Sequence, residues 1–216
     1  DVAPSRGLGD VYKRQVSRGF TEGFYYKPRV DKEVLREFSE GIIASSACLA
    51  GEVQRYLTRG MYEEAKKVAL EYQDIFGKGN FFLELQDHGI AEQHYVNPQL
   101  LRMSEETGIE LICTNDVHYT YADDADAHDI LLCIQTGKKV TDENRMRYTG
   151  GQYYLKSPEE MSDLFKYAPQ AIANTEKIAQ RCNVEIEFGV TKLPKFAVPD
   201  LSLIHISEPT RRSYIS

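Results

Sequence analysis

Asp116 and His118 are the pair whose types and spacing best suit chemistry. They follow the apolar run Ile109–Thr114, which Gly108 and Asn115 bound. A short apolar run between turn residues reads as a buried strand. Residues two apart on extended backbone point to the same face. A carboxylate and an imidazole side by side at the end of such a strand can hold a divalent metal. The same spacing fits a polar turn that caps a helix starting near Asp123, and both readings stand at this level. Cys48 offers a further donor at the C-terminal end of the second strand candidate, Ile42–Cys48. Functional groups gather at such ends in parallel sheets, whereas a lone cysteine there is usually a packing residue. Asp87 and His88 are adjacent, so a strand would send them to opposite faces. Turn and N-cap chemistry before the helix Ala91–Thr107 is the use predicted for them. His128 has no ligand spacing of its own and reads as packing or helix surface.

The elements that must position these residues follow from periodicity. Asp31–Glu40 carries Val34, Leu35 and Phe38 at helical spacing and ends at Gly41. Leu49–Arg59 reads as a helix after the small residues that close the Cys48 strand. Met61–Phe76 is the clearest helix, with Ala65, Val68, Ala69, Tyr72 and Ile75 on one face and Gly77 and Gly79 beyond it. Asn80–Gln86 (NFFLELQ) is the third strand candidate. Asp123–Gln135 reads as a helix whose acidic first turn suits the positive end of its dipole. Tyr153–Leu155 is a short strand candidate, and Ser157-Pro158-Glu159-Glu160 is a capping box with proline at the first helical position. Helices Glu159–Tyr167 and Pro169–Cys182 follow, and the tail Val184–Asp200 has a short strand and prolines.

The two ends are set apart from this pattern. Ser5–Gln15 reads SRGLGDVYKRQ and Leu201–Arg211 reads LSLIHISEPTR. A single DNA element encodes the second peptide, and its reverse complement encodes the first. That element resembles a transposase adapter used in sequencing libraries. Residues 1–15 and 201–216 are therefore expected to be adapter-derived and are excluded from fold reasoning. Removing their five Lys/Arg and three Asp/Glu from the chain's 26 and 33 leaves 21 and 30, so the formal charge moves from -7 to -9. An acidic body does not grip a phosphate backbone by itself, so any service to DNA is expected from a larger protein. Within the body, Lys138–Gly151 is the most basic stretch. Its Arg145 and Arg147 are candidates for a nucleic-acid or subunit contact, with a solvated loop as the alternative. The four cysteines lack CxxC spacing and fit reduced thiols in a cytoplasmic protein. No apolar run reaches the length of a membrane span. No internal repeat, Gly-rich phosphate loop, nucleophile elbow or paired-cysteine zinc motif occurs.

Strand and helix alternate through the body, which predicts an α/β architecture with parallel strands. Three or four strands are too few to close a barrel of about eight. The pattern therefore fits an open sheet or the C-terminal part of a barrel.

Several segments taken in order carry a resemblance: GFYYKPRVDKEVL, EGIIASSACLAGEV, FFLELQDHGI, TNDVHYTYADDADAHDILLCIQTGK and RMRYTGGQYYLKSPEEM. Together, over nearly all of Val16–Asp200, they resemble the PHP (polymerase and histidinol phosphatase) domain of bacterial replicative DNA polymerase III alpha subunits. The resemblance implies a distorted seven-stranded β/α barrel of which residues 16–200 form an incomplete C-terminal part. It implies a rim of His, Asp, Glu and Cys ligands for a trinuclear zinc or manganese site. Cys48 of Ser46-Ala47-Cys48 and Asp116 and His118 of NDVH match ligand positions, whereas His88 matches none. The family's early ligands would precede Val16, and the palm aspartates that bind magnesium would follow Asp200. The chain alone is therefore expected to lack polymerase activity. A complete site would perform metal-assisted phosphoester hydrolysis, resembling a proofreading 3′–5′ exonuclease. In other members the domain is a scaffold for the polymerase core and the exonuclease subunit. Implied partners are DNA through the parent polymerase, the exonuclease and other replisome subunits, with no membrane. A stand-alone phosphoesterase such as a histidinol phosphatase is the alternative.

Overall fold

The computed structural model describes residues 14–183 and 188–189. The fold below lies within the unit that ends at Asn183; a second unit begins at Val184. Residues 14–21 are helical, so Arg14 and Gln15 of the segment read as adapter-derived belong to this helix. The tail strand expected within Val184–Asp200 lies outside the described residues, apart from Phe188 and Gly189.

Three parallel strands run in the order β1-β2-β3: β1 (Ala44–Ser45), β2 (Phe81–Leu85) and β3 (Leu111–Cys113). Ala44 pairs with Phe81, and Leu83 and Leu85 pair with Leu111 and Cys113. The sheet is open among the described residues. Helix α1 (Lys32–Glu37) precedes β1, α2 (Glu52–Leu57) and α3 (Tyr62–Phe76) lie between β1 and β2, and α4 (Ala91–Thr107) lies between β2 and β3. After β3 come a 3-10 turn at Ala122–Asp124, α5 (Ala125–Thr136), α6 (Pro158–Leu164) and α7 (Pro169–Arg181).

Alternation along β2 decides what each face of the sheet meets. Phe81, Leu83 and Leu85 share a face and join one core with Val53 and Leu57 of α2, Ala65 and Val68 of α3, and Leu100 and Met103 of α4. Phe165, fully buried just past α6, closes this layer. Each large side chain here contributes about 1.5–3 kcal/mol by leaving water. Asn174 of α7 donates to the carbonyl of Leu111 at 2.9 Å, which ties the last helix to β3.

Local signals set the helix ends. Asp31 caps α1 through the N–H of Val34, and Gly108 closes α4 in the left-handed conformation. At α6 both halves of the capping box form: Glu160 accepts from the N–H of Ser157 at 2.7 Å, and Ser157 Oγ accepts from the N–H of Glu160 at 3.2 Å. The strand expected over Ile42–Cys48 is cut short. Ala47 adopts φ 61°, and the chain turns back so closely that a Cβ on Gly51 would lie 2.1 Å from the carbonyl oxygen of Ser46. The strand expected at Tyr153–Leu155 is reduced to a single parallel bridge between Tyr119 and Tyr154.

Candidate metal centre

Strand β3 delivers the chain into a turn that carries Asp116 and His118, and the segment after Gly151 pins that turn. The N–H of His118 donates to the carbonyl of Tyr153 at 2.8 Å, and the side-chain amide of Asn115 donates to the carbonyl of Tyr154 at 2.7 Å. The N–H of Leu155 returns a bond to the carbonyl of Thr120 at 3.3 Å. Asp116 is half exposed, and one of its carboxylate oxygens lies 3.9 Å from Nδ1 of His118. That nitrogen is 2.9 Å from the carbonyl oxygen of Asp116. A carbonyl only accepts, so Nδ1 carries the proton and Nε2 keeps its lone pair. Histidines that ligate metals are commonly oriented this way.

Cys48 lies in the turn after β1, half-buried and without a disulfide. It lines a cavity of about 10 Å3 with Gln54, Glu84, Gln86 and Gln93, room for about one water. The amide oxygen of Gln54 is buried and has no hydrogen-bond partner among the described residues. The donor types of Cys48, Asp116 and His118 suit zinc, and the first two strand ends and the β3 turn each hold polar groups. Yet among the described residues no three His, Cys, Asp or Glu side chains converge on a point that would hold an ion. The described residues therefore do not by themselves form a complete metal site.

Histidine and tyrosine rings surround the turn. His118 meets Tyr148 at 4.3 Å between centroids and His128 at 5.5 Å. Tyr153 meets the His118 ring edge-on at 5.5 Å and stacks flat on His88 at 4.3 Å. Asp87 accepts from the N–H of Gly89 at 2.9 Å, the turn chemistry expected of it. His88 differs from expectation. Helix α4 has no side-chain cap, and His88 is instead 3% exposed beneath the rim. β2 ends at Leu85, so Asp87 and His88 lie beyond the strand, and they part there: Asp87 stays in the turn and His88 goes under it. His128 is packing, as its isolation suggested, but what it packs on is His118. Burial, and then the Lys156 cation, pull the His88 imidazole below its ordinary pKa.

Arg145 pairs with α5, and Arg147 bonds within the basic loop. Both terminal nitrogens of Arg145 bond to the Asp129 carboxylate at 2.5 Å, which leaves its side chain 2% exposed. A fork of this kind is among the stronger side-chain pairs. Arg147 is exposed and donates to the carbonyl of Val140 at 3.1 Å. Among the described residues, no helix is long and apolar enough to cross a membrane.

The PHP-domain family model matches residues 10–88. DNA polymerase III subunit alpha of Helicobacter pylori is 46% identical over 182 residues, covering 79% of this chain. The protein of the same name from Treponema pallidum is 45% identical over 183 residues, covering 85%. That from Thermus aquaticus is 37% identical over 193 residues, covering 87%. The chain spans only 15–16% of the length of these relatives.

Proposed function

From a chain homologous to the PHP-containing segment of bacterial DNA polymerase III alpha subunits, we propose service in DNA replication as part of a larger polymerase. Residues 16–200 form the C-terminal part of its PHP domain, a distorted seven-stranded barrel, and residues 1–15 and 201–216 are adapter-derived. The role of the domain is metal-assisted phosphoester hydrolysis at the rim formed by Cys48, Asp116 and His118, with zinc or manganese completed by ligands from the rest of the barrel. A metal there would lower the pKa of bound water and neutralise phosphate oxygens. The observation that carries this reading is the tautomer of His118. Its Nδ1–H is spent on the carbonyl of Asp116, which leaves Nε2 as a ligand beside a half-exposed carboxylate.

Template-directed nucleotide transfer belongs to magnesium-binding palm residues elsewhere in the parent, so this chain alone carries no polymerase activity. The parent works in the cytoplasm with DNA, the exonuclease and other replisome subunits. A scaffold role without metal is the competing reading. Metal content and 3′–5′ nuclease activity of the intact parent domain separate the two, with wild type compared against Asp116→Asn/His118→Ala. Bound metal and cleavage that both disappear in the variant are expected. A metal-free wild type and an equally well folded variant would leave the scaffold reading in its place.

A further inference from the structure

Gln93 fixes the proton of His88. The backbone N–H of His88 can only donate, so the Gln93 atom 2.7 Å from it is the amide oxygen. The amide nitrogen of Gln93 then lies 3.0 Å from Nδ1 of His88. An amide N–H only donates, so Nδ1 accepts and bears no proton. The proton of the neutral ring is on Nε2. That atom is fully buried and makes no hydrogen bond of ordinary length and angle among the described residues. Buried donors are almost always satisfied, so an acceptor belongs here. The tautomer also excludes His88 as a metal ligand, because Gln93 occupies one nitrogen and a proton the other.

The surroundings narrow the acceptor. Lys156, Asp116, Gln93 and Asn115 are the groups whose charge or hydrogen bonding acts on the ring. Lys156 only donates, and Gln93 has already met the ring and its N–H. Asn115 spends its amide nitrogen on the carbonyl of Tyr154, which leaves its oxygen to accept. Asp116 is the next residue. On the other side, the ring lies on Tyr153 with 6° between planes, and Tyr153 holds the N–H of His118.

We propose that His88 is a positioning residue of the rim: its Nε2–H holds the Asn115–Asp116 turn, and its ring, through Tyr153, holds His118, without binding metal itself. Its purpose rests on the reading of Asp116 and His118 as ligands; its geometry does not.

Two variants of the full 216-residue chain test it. His88→Phe keeps a flat ring for Tyr153 and removes both nitrogens. His88→Gln restores an N–H near the position of Nε2. Long-range nitrogen–proton NMR should show His88 protonated at Nε2 and unmoved by added Zn2+. The N–H of His118 should exchange with solvent about tenfold faster in His88→Phe, the loss of one ordinary hydrogen bond. Core amides such as Leu83 should be unchanged, and His88→Gln should restore His118 to within about threefold of wild type. A proton on Nδ1, a zinc-induced shift at His88, or His88→Gln exchanging as fast as His88→Phe would overturn the proposal. If zinc leaves the His118 ring of the wild type unmoved, the chain alone holds no metal, the ligand reading passes to the intact parent domain, and the exchange ratio alone decides the positioning role.

Discussion

Replacing Glu84 with leucine is expected to cost about 2–3 kcal/mol, because this one carboxylate ties all three strands together below the site. Glu84 lies on the middle strand, on the face opposite Leu83 and Leu85. One carboxylate oxygen accepts from Ser45 Oγ of β1 at 2.5 Å. The other accepts from Thr114 Oγ1, just past β3, and from Gln86 Nε2 at 3.1 Å. Ser45 stands three residues before Cys48, and Thr114 two before Asp116. The clamp therefore fixes the spacing between the two halves of the candidate rim.

Hydrogen bonds to a charged group are worth about 1.5–3 kcal/mol when buried. These are half-buried, so about 1 kcal/mol each is the reasonable scale. Leucine removes all three and recovers under about 1 kcal/mol by its own partial burial. Glu84→Gln keeps one accepting oxygen and turns an amide toward Ser45, whose hydroxyl can accept instead. Its cost should be about 1 kcal/mol. Urea unfolding followed by circular dichroism measures both variants. At this chain length the leucine variant should melt about 4–12 °C lower than wild type. A leucine variant within about 0.5 kcal/mol of wild type, the range of ordinary surface changes, would refute the reasoning. It would mean that water serves the two hydroxyls as well as the carboxylate does.

Two further outcomes test the helical layer. Ser157→Ala should lose about 1 kcal/mol in the same unfolding assay, since it deletes one half of the capping box at α6; no loss would mean that water satisfies the N–H of Glu160. Lys66, then Arg102, with Tyr62, hold the Glu106 carboxyl down to about 2 from an ordinary 4.5. A depressed carboxyl stabilises the folded chain fully above its ordinary value and loses that contribution as pH falls through the native one. Between about 4.5 and 2 the melting temperature of wild type should therefore fall more steeply than that of Glu106→Gln, and parallel curves would show that the three partners contribute nothing net.

Short-range rules were legible in this sequence where a single segment decided the outcome. Helix α4 spans Ala91–Thr107 as expected, and Ser157 with Glu160 forms the capping box that their spacing announces. The three strands sit inside the runs expected of them. The Cys48 strand lost its end to a constraint written elsewhere: Gly51 lets the backbone turn back against Ser46, and Ala47 takes a left-handed conformation to permit it. Composition likewise marked Arg145 as a basic loop residue, but its partner Asp129 lies on α5, sixteen residues earlier in the chain. Charge counts do not reveal such pairing.

The site was legible as donors and illegible as an arrangement. Asp116 and His118 could be selected as donor types two residues apart after a buried run, but β3 stops at Cys113, so strand alternation places neither of them. Nor does it reach His88, since alternation stops where pairing stops, and β2 stops at Leu85. Beyond that point the ring's direction is set by contacts from two separate segments: Gln93 on α4 and Tyr153 after the basic loop. A signal for this existed in the sequence. Asp87-His88-Gly89 is a polar turn that follows a buried strand, and Gln93 stands five residues on, within reach of both the main chain and the ring of His88. A glutamine that occupies a backbone N–H with its oxygen must present its nitrogen to whatever lies beside it. The protonation of His88 thus follows from a residue that carries no charge, and its role under the rim follows from that protonation.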